Sequence, residues 1–315
     1  MRFLNLNNFI FIMILRRFLF LSILIVFIVS CKGEDEAQVD EDGIITGLET
    51  KTFSHDNVNR NYLIYIPNSY DPEIKYPLIF NFHGFGGIAS EFINTADMRA
   101  LAESKNFIIV YPQGTSLPGT NDSHWNSSKP STDNKSNTDD IGFIENLIDQ
   151  LLVDYPVIDS KRIYAAGYSN GGFFSYFLAC NSKKFAAIGS VAGTMIDDSY
   201  QSCDAQYPTA MINIHGTADS TVLYNGDNLG STSIPDVVNW WKNFNNTLNE
   251  DMLSNQDGSI EQYIYYNDAG DRYVEHIKIY GGEHYWDDKL NYNGKNTSGL
   301  IWEFVSQYDI DGVID

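Results

Sequence analysis

The chain has 315 residues and carries 20 Lys plus Arg against 41 Asp plus Glu, a formal net charge of −21. A surface this acidic repels nucleic acid and anionic lipid headgroups, so neither is expected as a partner. With an amino-terminal leader set aside, the length suffices for one α/β domain with a full core and leaves too little for a second sizeable domain.

Residues 1–30 contain three Arg, no acid and the apolar run Phe18 to Val29, followed by Ser30-Cys31. A charged start, an apolar stretch and a small residue before a cysteine resemble a bacterial lipoprotein signal, with Cys31 as the lipid-accepting residue. A plain transmembrane anchor is the alternative. Met13, just ahead of Arg16-Arg17, is a second candidate start. Residues 31–44 then read as an acidic tether and 45–315 as the catalytic domain. Such a protein would be lipid-anchored in the bacterial cell envelope, surface-exposed or secreted.

Beyond the tether, strand-like runs near 45–54 and 60–67 form an antiparallel lead-in. Further strands are predicted near 77–83, 107–112, 162–168, 186–192, 209–215 and 273–280, and helices near 94–104, 139–154, 170–181, 235–246 and 298–308. Strands alternating with helices imply an α/β fold, a mostly parallel central sheet with helices on both faces. Two polar stretches interrupt the pattern: Gly114 to Asn137, which holds His124-Trp125-Asn126, and Thr247 to Ser259, read as a surface insertion. The acidic runs Asp40-Glu41-Asp42-Gly43 and Asp309-Ile310-Asp311-Gly312 complete no calcium loop and read as a solvated tether and a solvated tail, and no metal is expected.

Gly167-Tyr168-Ser169-Asn170-Gly171 follows the strand-like Arg162 to Ala166 and precedes an aromatic helical run. This is the pattern of a nucleophile elbow, in which a serine on a tight strand-to-helix turn needs glycine two residues to either side. A serine hydroxyl is a weak nucleophile at its normal pKa, so a base must lie within hydrogen-bond reach and a third group must orient that base. Of the six histidines, His284 sits in the loop Gly281 to Trp286 at the end of the strand-like Val274 to Tyr280, where a base belongs in an open α/β sheet. His276 lies inside that strand as a packing residue, and His215 precedes any acid. The acid is Asp219, where the apolar strand Thr209 to His215 breaks at Gly216. The chain order Ser169, Asp219, His284 is that of the α/β hydrolases. Oxyanion donors are expected from the main-chain amides of Asn170 and Phe85, with Gly84 or Gly86 as substitutes for Phe85. His83 is then a structural anchor of the loop His83 to Gly87.

The set HGFGG, GYSNGG, HGTAD and GGEHYW, with Asp139 to Ile144 and Phe185-Ala186-Ala187, resembles the polyhydroxybutyrate depolymerase and feruloyl esterase group of α/β hydrolases over roughly residues 45–308. The resemblance implies Ser169 as nucleophile, Asp219 as acid, His284 as base, an oxyanion loop at His83 to Gly87, and no cofactor. It also implies a disulfide between Cys180 and Cys203, which an oxidising envelope permits; free buried thiols are the alternative. Glu283 stands where family members often carry Gly, and a carboxylate beside His284 is expected to raise the imidazole pKa. Trp125, Tyr168 and Trp286 flank the catalytic loops and are candidates for a pocket that stacks on a flat acyl group or a sugar ring. For Trp125, anchoring its own loop is the alternative role. The implied function is a secreted serine carboxylic-ester hydrolase acting on feruloyl or acetyl esters of plant polysaccharide. Polyhydroxybutyrate depolymerisation, peptide hydrolysis on the same fold and a non-catalytic glycan-binding surface lipoprotein are the alternatives, the last disfavoured by a complete triad. The oligomeric state is left open.

Overall fold

The computed structural model describes residues 44–128, 135–227 and 230–314, with the backbone of 38–39. The leader expected at 1–30, Cys31 and most of the acidic stretch 31–44 lie outside the described residues.

In chain order the strands are β1 (Gln38–Val39), β2 (Ile45–His55), β3 (Val58–Ile66), β4 (Tyr76–Phe82), β5 (Ile108–Pro112), β6 (Thr115–Ser116), β7 (Ser123–His124) and β8 (Ile158–Tyr168). They continue as β9 (Ala187–Val191), β10 (Ala210–Gly216), β11 (Asn249–Ser254), β12 (Ile260–Tyr266), β13 (Arg272–Ile279), β14 (Tyr308–Asp309) and β15 (Gly312–Val313). The helices are α1 (Ala89–Thr95), α2 (Arg99–Lys105), α3 (Asp140–Asp154), α4 (Asn170–Asn181), α5 (Asp197–Ser202), α6 (Ile234–Phe244) and α7 (Thr297–Val305).

One sheet of eleven strands runs in the order β1-β2-β3-β5-β4-β8-β9-β10-β13-β12-β11. From β5 to β13 every neighbouring pair is parallel, and antiparallel strands flank this block on each side. Parallel strands must be covered on both faces, and the side chains alternate accordingly. Leu78, Phe80 and Phe82 of β4 join the core beneath α3, α4 and α6, whereas Ile79 joins the core beneath α1, α2 and α7. Ile163 and Ala165 of β8 take the first side, Tyr164 and Ala166 the second. This is the α/β-hydrolase fold.

Three elements differ from the sequence reading. The helix expected near 94–104 is two, α1 and α2, and Asn106 in the left-handed region (φ 54°) ends the second. The stretch Thr247 to Ser259 is not a plain insertion, because it contains β11, which pairs with β12 as an antiparallel hairpin at the sheet edge. No alternation marks β11, since five of its six residues are exposed. The acidic tail at 309–312 bends into the β14–β15 hairpin, with Asp311 paired to Lys161. Cys180 at the end of α4 and Cys203 after α5 are joined by a disulfide, with Cα atoms 4.9 Å apart.

Candidate active site

Strand β8 ends at Tyr168 and α4 begins at Asn170, so Ser169 alone makes the turn, with φ 51° and ψ −119°. A residue with a β-carbon holds such a conformation only when its surroundings impose it. Here the Ser169 amide donates to the Val191 carbonyl of β9 (2.9 Å), and the Ser169 carbonyl accepts from the Phe173 amide (3.0 Å). The glycine spacing has a steric cause. A β-carbon on Gly167 would run into the Gly171 carbonyl, and one on Gly171 into the Phe82 carbonyl.

Strands β10 and β13 are parallel neighbours with Gly216 opposite Ile279, so the loops that follow them leave the sheet side by side. Those loops are laced together. Thr217 donates to the Ile279 carbonyl, Ala218 to the Gly282 carbonyl, and the Gly281 amide to Thr217 Oγ1, each at 2.9 Å. The lacing brings His284 Nδ1 to 2.7 Å from Asp219 Oδ2 and His284 Nε2 to 2.9 Å from Ser169 Oγ. The Tyr168 hydroxyl donates to the His284 carbonyl at 2.8 Å and its ring lies against the imidazole.

Asp219 is buried. Its Oδ1 accepts the amides of Thr221 and Val222, both at 2.8 Å, and its Oδ2 also lies 3.3 Å from His215 Nε2. Burial opposes ionisation, but hydrogen bonds from His215, His284, Val222 and Thr221 outweigh it and hold the carboxyl well below the usual carboxylate range. His215 Nε2 also faces the Val222 carbonyl at 2.9 Å; a carbonyl only accepts, so this nitrogen carries a proton. His215 is thus a second donor to Asp219, a role the sequence reading missed although the i, i+4 spacing was visible.

Glu283 is exposed and accepts the Tyr285 hydroxyl at 2.7 Å, while both nitrogens of His284 are engaged elsewhere. The Glu283 carboxylate is thus hydrogen-bonded to Tyr285 rather than to His284. Buried His83 donates from Nδ1 to the Gly84 carbonyl (2.7 Å) and accepts the Gly114 amide at Nε2 (2.9 Å). Burial lowers its pKa to about 4, so it is a neutral loop anchor. The Gly86 amide donates to the Ser123 carbonyl at 2.7 Å, which removes it as a substitute for Phe85 in holding an oxyanion.

Asn170 stands at the first position of α4, where an amide has no acceptor within its own helix. Its side chain has a second task that the sequence reading missed: Oδ1 accepts the Trp125 amide (2.7 Å) and Nδ2 donates to the Trp125 carbonyl (3.0 Å). Trp125 is 1% exposed, its indole packed on Phe82 and Phe174 with centroids 5.1 Å away, and Nε1 donates to the His83 carbonyl. The indole thus anchors its own loop. The buried pair Arg60–Asp140 holds that loop too, since Asp140 Oδ2 accepts the Asn126 amide at 2.7 Å.

A pocket of about 300 Å³ opens over Ser169, bordered by Phe85, Trp125, Lys135, Phe173 and Ile196. Tyr168 and Trp286, taken from sequence as pocket candidates, do not border it. Tyr168 serves the His284 loop, while Trp286 is buried edge-on against Phe92 with Nε1 donating to Ser298. For a metal, the one described grouping of His and carboxylates with ligand atoms within 4.8 Å is His55, Asp56 and Asp139. Asp139 there caps α3 through the Gly142 amide and pairs with His55.

Residues 55–278 match the Esterase family, described as "Putative esterase". The chain belongs to that family. Curated relatives of this esterase-family chain include a bifunctional acetylxylan esterase/xylanase of Neocallimastix patriciarum, 25% identical over 81% of the chain and 34% of the relative. Feruloyl esterase B of Piromyces equi is 25% identical over 80% of the chain and 46% of the relative. The chain therefore spans less than half the length of either. Among solved structures, an acetyl xylan esterase from Aspergillus awamori superposes with a TM-score of 0.62 at 16% identity, covering 82% of this chain and 99% of that one. A ferulic acid esterase from Anaeromyces mucronatus, in complex with ferulic acid, gives 0.53 at 17% identity, covering 87% and 95%. At these identities the structural likeness is one of fold.

Proposed function

We propose that the protein is a serine carboxylic-ester hydrolase acting on feruloyl or acetyl esters of plant polysaccharide. The observation that carries the reading is the hydrogen-bonded line from Ser169 Oγ through His284 to buried Asp219, at 2.9 and 2.7 Å, opening on a pocket. Ser169 attacks the ester carbonyl as its proton passes to His284 Nε2, while Asp219 holds the Nδ1–H tautomer and stabilises the imidazolium. The amides of Asn170 and Phe85 receive the oxyanion. His284 then protonates the departing alcohol, and water repeats the attack to free the acid and restore Ser169. The names of the curated relatives support acetyl and feruloyl esters as substrates. The pocket volume sits at the lower end of the range for small-molecule sites, on the order of 300–1,000 Å³, and Phe85 and Phe173 give it flat apolar walls. The reading extends to residues 1–30 as a lipoprotein signal and Cys31 as the lipid-bearing amino terminus of the mature protein.

The test is Ser169→Ala assayed for ferulate release from methyl ferulate and acetate release from acetylated xylan. A loss of about a thousandfold or more is expected, with circular dichroism unchanged. A mutant that keeps more than a few per cent of wild-type turnover would overturn the mechanism.

A further inference from the structure

We propose that a polar groove beside the catalytic pocket seats the sugar chain of the ester, resting on the ester-hydrolase reading above, and that it accepts neutral oligosaccharide and rejects chains bearing uronic acids. The groove has a volume of about 600 Å³ and adjoins the pocket: Ser231 borders both, and Ile196 of the pocket precedes Asp197 of the groove. An ester with a methyl leaving group has no sugar to place beyond the pocket. A polysaccharide ester must lead its leaving group out of that pocket, and the groove adjoins it.

The groove walls carry the chemistry that sugars need. Asp197, Asp227 and Asp236 present carboxylate acceptors to hydroxyl donors, and Asn225 offers both a donor and an acceptor. Tyr200 and Leu223 supply apolar surface for the C–H face of a pyranose ring. The walls are held before any ligand arrives. Asp197 Oδ1 accepts the Thr232 hydroxyl at 2.8 Å, the Asp197 amide donates to the Gly230 carbonyl at 2.8 Å, and Asp236 Oδ2 accepts the Ser233 hydroxyl at 2.6 Å. Ile196 and Ser231 are bridged as in a sheet. A carboxylate tied by one oxygen keeps its orientation while the other oxygen remains available to accept, so little ordering is left for the ligand to supply.

Charge sets the selectivity. Among the described residues no Lys, Arg or His borders the groove, which carries three carboxylates, whereas the pocket has Lys135 and no carboxylate. A uronate in the groove meets like charge, and a juxtaposed like charge is a strong discriminator between otherwise similar ligands.

The experiment compares kcat/KM of the purified protein on methyl ferulate, on a feruloylated arabinoxylo-oligosaccharide, and on the same oligosaccharide carrying a glucuronic acid branch, with the acetyl counterparts in parallel. The wild type is expected to favour the neutral oligosaccharide over both other substrates. Asn225→Ala, at an exposed position, should lower kcat/KM on the oligosaccharide by about three- to tenfold and leave the methyl ester unchanged, as the loss of one or two hydrogen bonds predicts. Asp197→Asn, which retains an acceptor for Thr232, should narrow the gap between neutral and uronate-bearing esters. Equal wild-type kcat/KM on methyl ester and oligosaccharide overturns the groove, as does a parallel loss on both in the variants. Hydrolysis of none of these esters by the wild type overturns the underlying ester-hydrolase reading instead, so the two failures are distinct.

Discussion

Replacing Asp219 by Asn preserves the size of the side chain and inverts the hydrogen-bond logic around it. Oδ1 accepts two main-chain amides, from Thr221 and Val222, so the Asn carbonyl oxygen must take that place. The amide NH₂ then stands where Oδ2 stood, 2.7 Å from His284 Nδ1 and 3.3 Å from His215 Nε2. His284 can satisfy a donor there only with a bare Nδ1, which moves its proton to Nε2, the nitrogen facing Ser169 Oγ. An imidazole protonated at that nitrogen cannot take the serine proton. The same substitution in a serine-protease triad costs about 10⁴ in kcat, equivalent to about 5.5 kcal/mol of transition-state stabilisation. His215 adds a second penalty, because its Nε2–H, held by the Val222 carbonyl, now meets a donor. A buried mismatch of this kind costs about 1–3 kcal/mol of stability. The assay is turnover of p-nitrophenyl acetate, with thermal unfolding in parallel. A folded Asp219→Asn protein that loses less than about a hundredfold in kcat would refute control of the His284 tautomer by Asp219. The wild-type carboxyl is held below its unfolded value near 3.9, so its contribution to stability is complete above that pH and disappears only as pH falls through the still lower folded value.

Glu275 gives the opposite sign: burial, only partly offset by the Gln262 hydrogen bond, raises its pKa to about 7, so the folded state holds a proton that the unfolded state releases near 4.5. Glu275→Gln should leave stability unchanged at pH 4 and raise it by about 3 kcal/mol at pH 8, read from urea unfolding, and equal effects at the two pH values would contradict the raised pKa. Replacing both Cys180 and Cys203 by Ser opens a loop with a sequence separation of 23 residues and should cost about 3 kcal/mol in the same assay, whereas an unchanged midpoint would show that the bridge contributes nothing.

The parts of the site that could be read from residues alone are those set by local sterics or by strand ends. Gly167 and Gly171 are required wherever a helix starts this close to its own strand, so their spacing around Ser169 is visible without a structure. Asp219 and His284 each follow a strand end marked by glycine, Gly216 closing β10 and Gly281-Gly282 lying just past β13, and the parallel pairing of the two strands does the rest. The β11–β12 hairpin escaped because an exposed edge strand carries no hydrophobic alternation to detect. The pocket escaped for a different reason. Adjacency to the proposed nucleophile says nothing about direction, and Tyr168, immediately before Ser169, packs with the opposite core layer from Phe174. Phe173 was within reach, since a residue four positions along α4 from Ser169 lies over the same side of the helix. Lys135, Ile196 and Ser231 were not, because each is brought in by a loop whose course depends on contacts far away in the chain, such as the Asn170 clamp on Trp125. The chemistry of the bond that is cleaved is written in short motifs, while the preference for what surrounds that bond is distributed over loops that only the folded chain assembles. That division makes the groove variants a sharper probe of substrate than any further change at the triad.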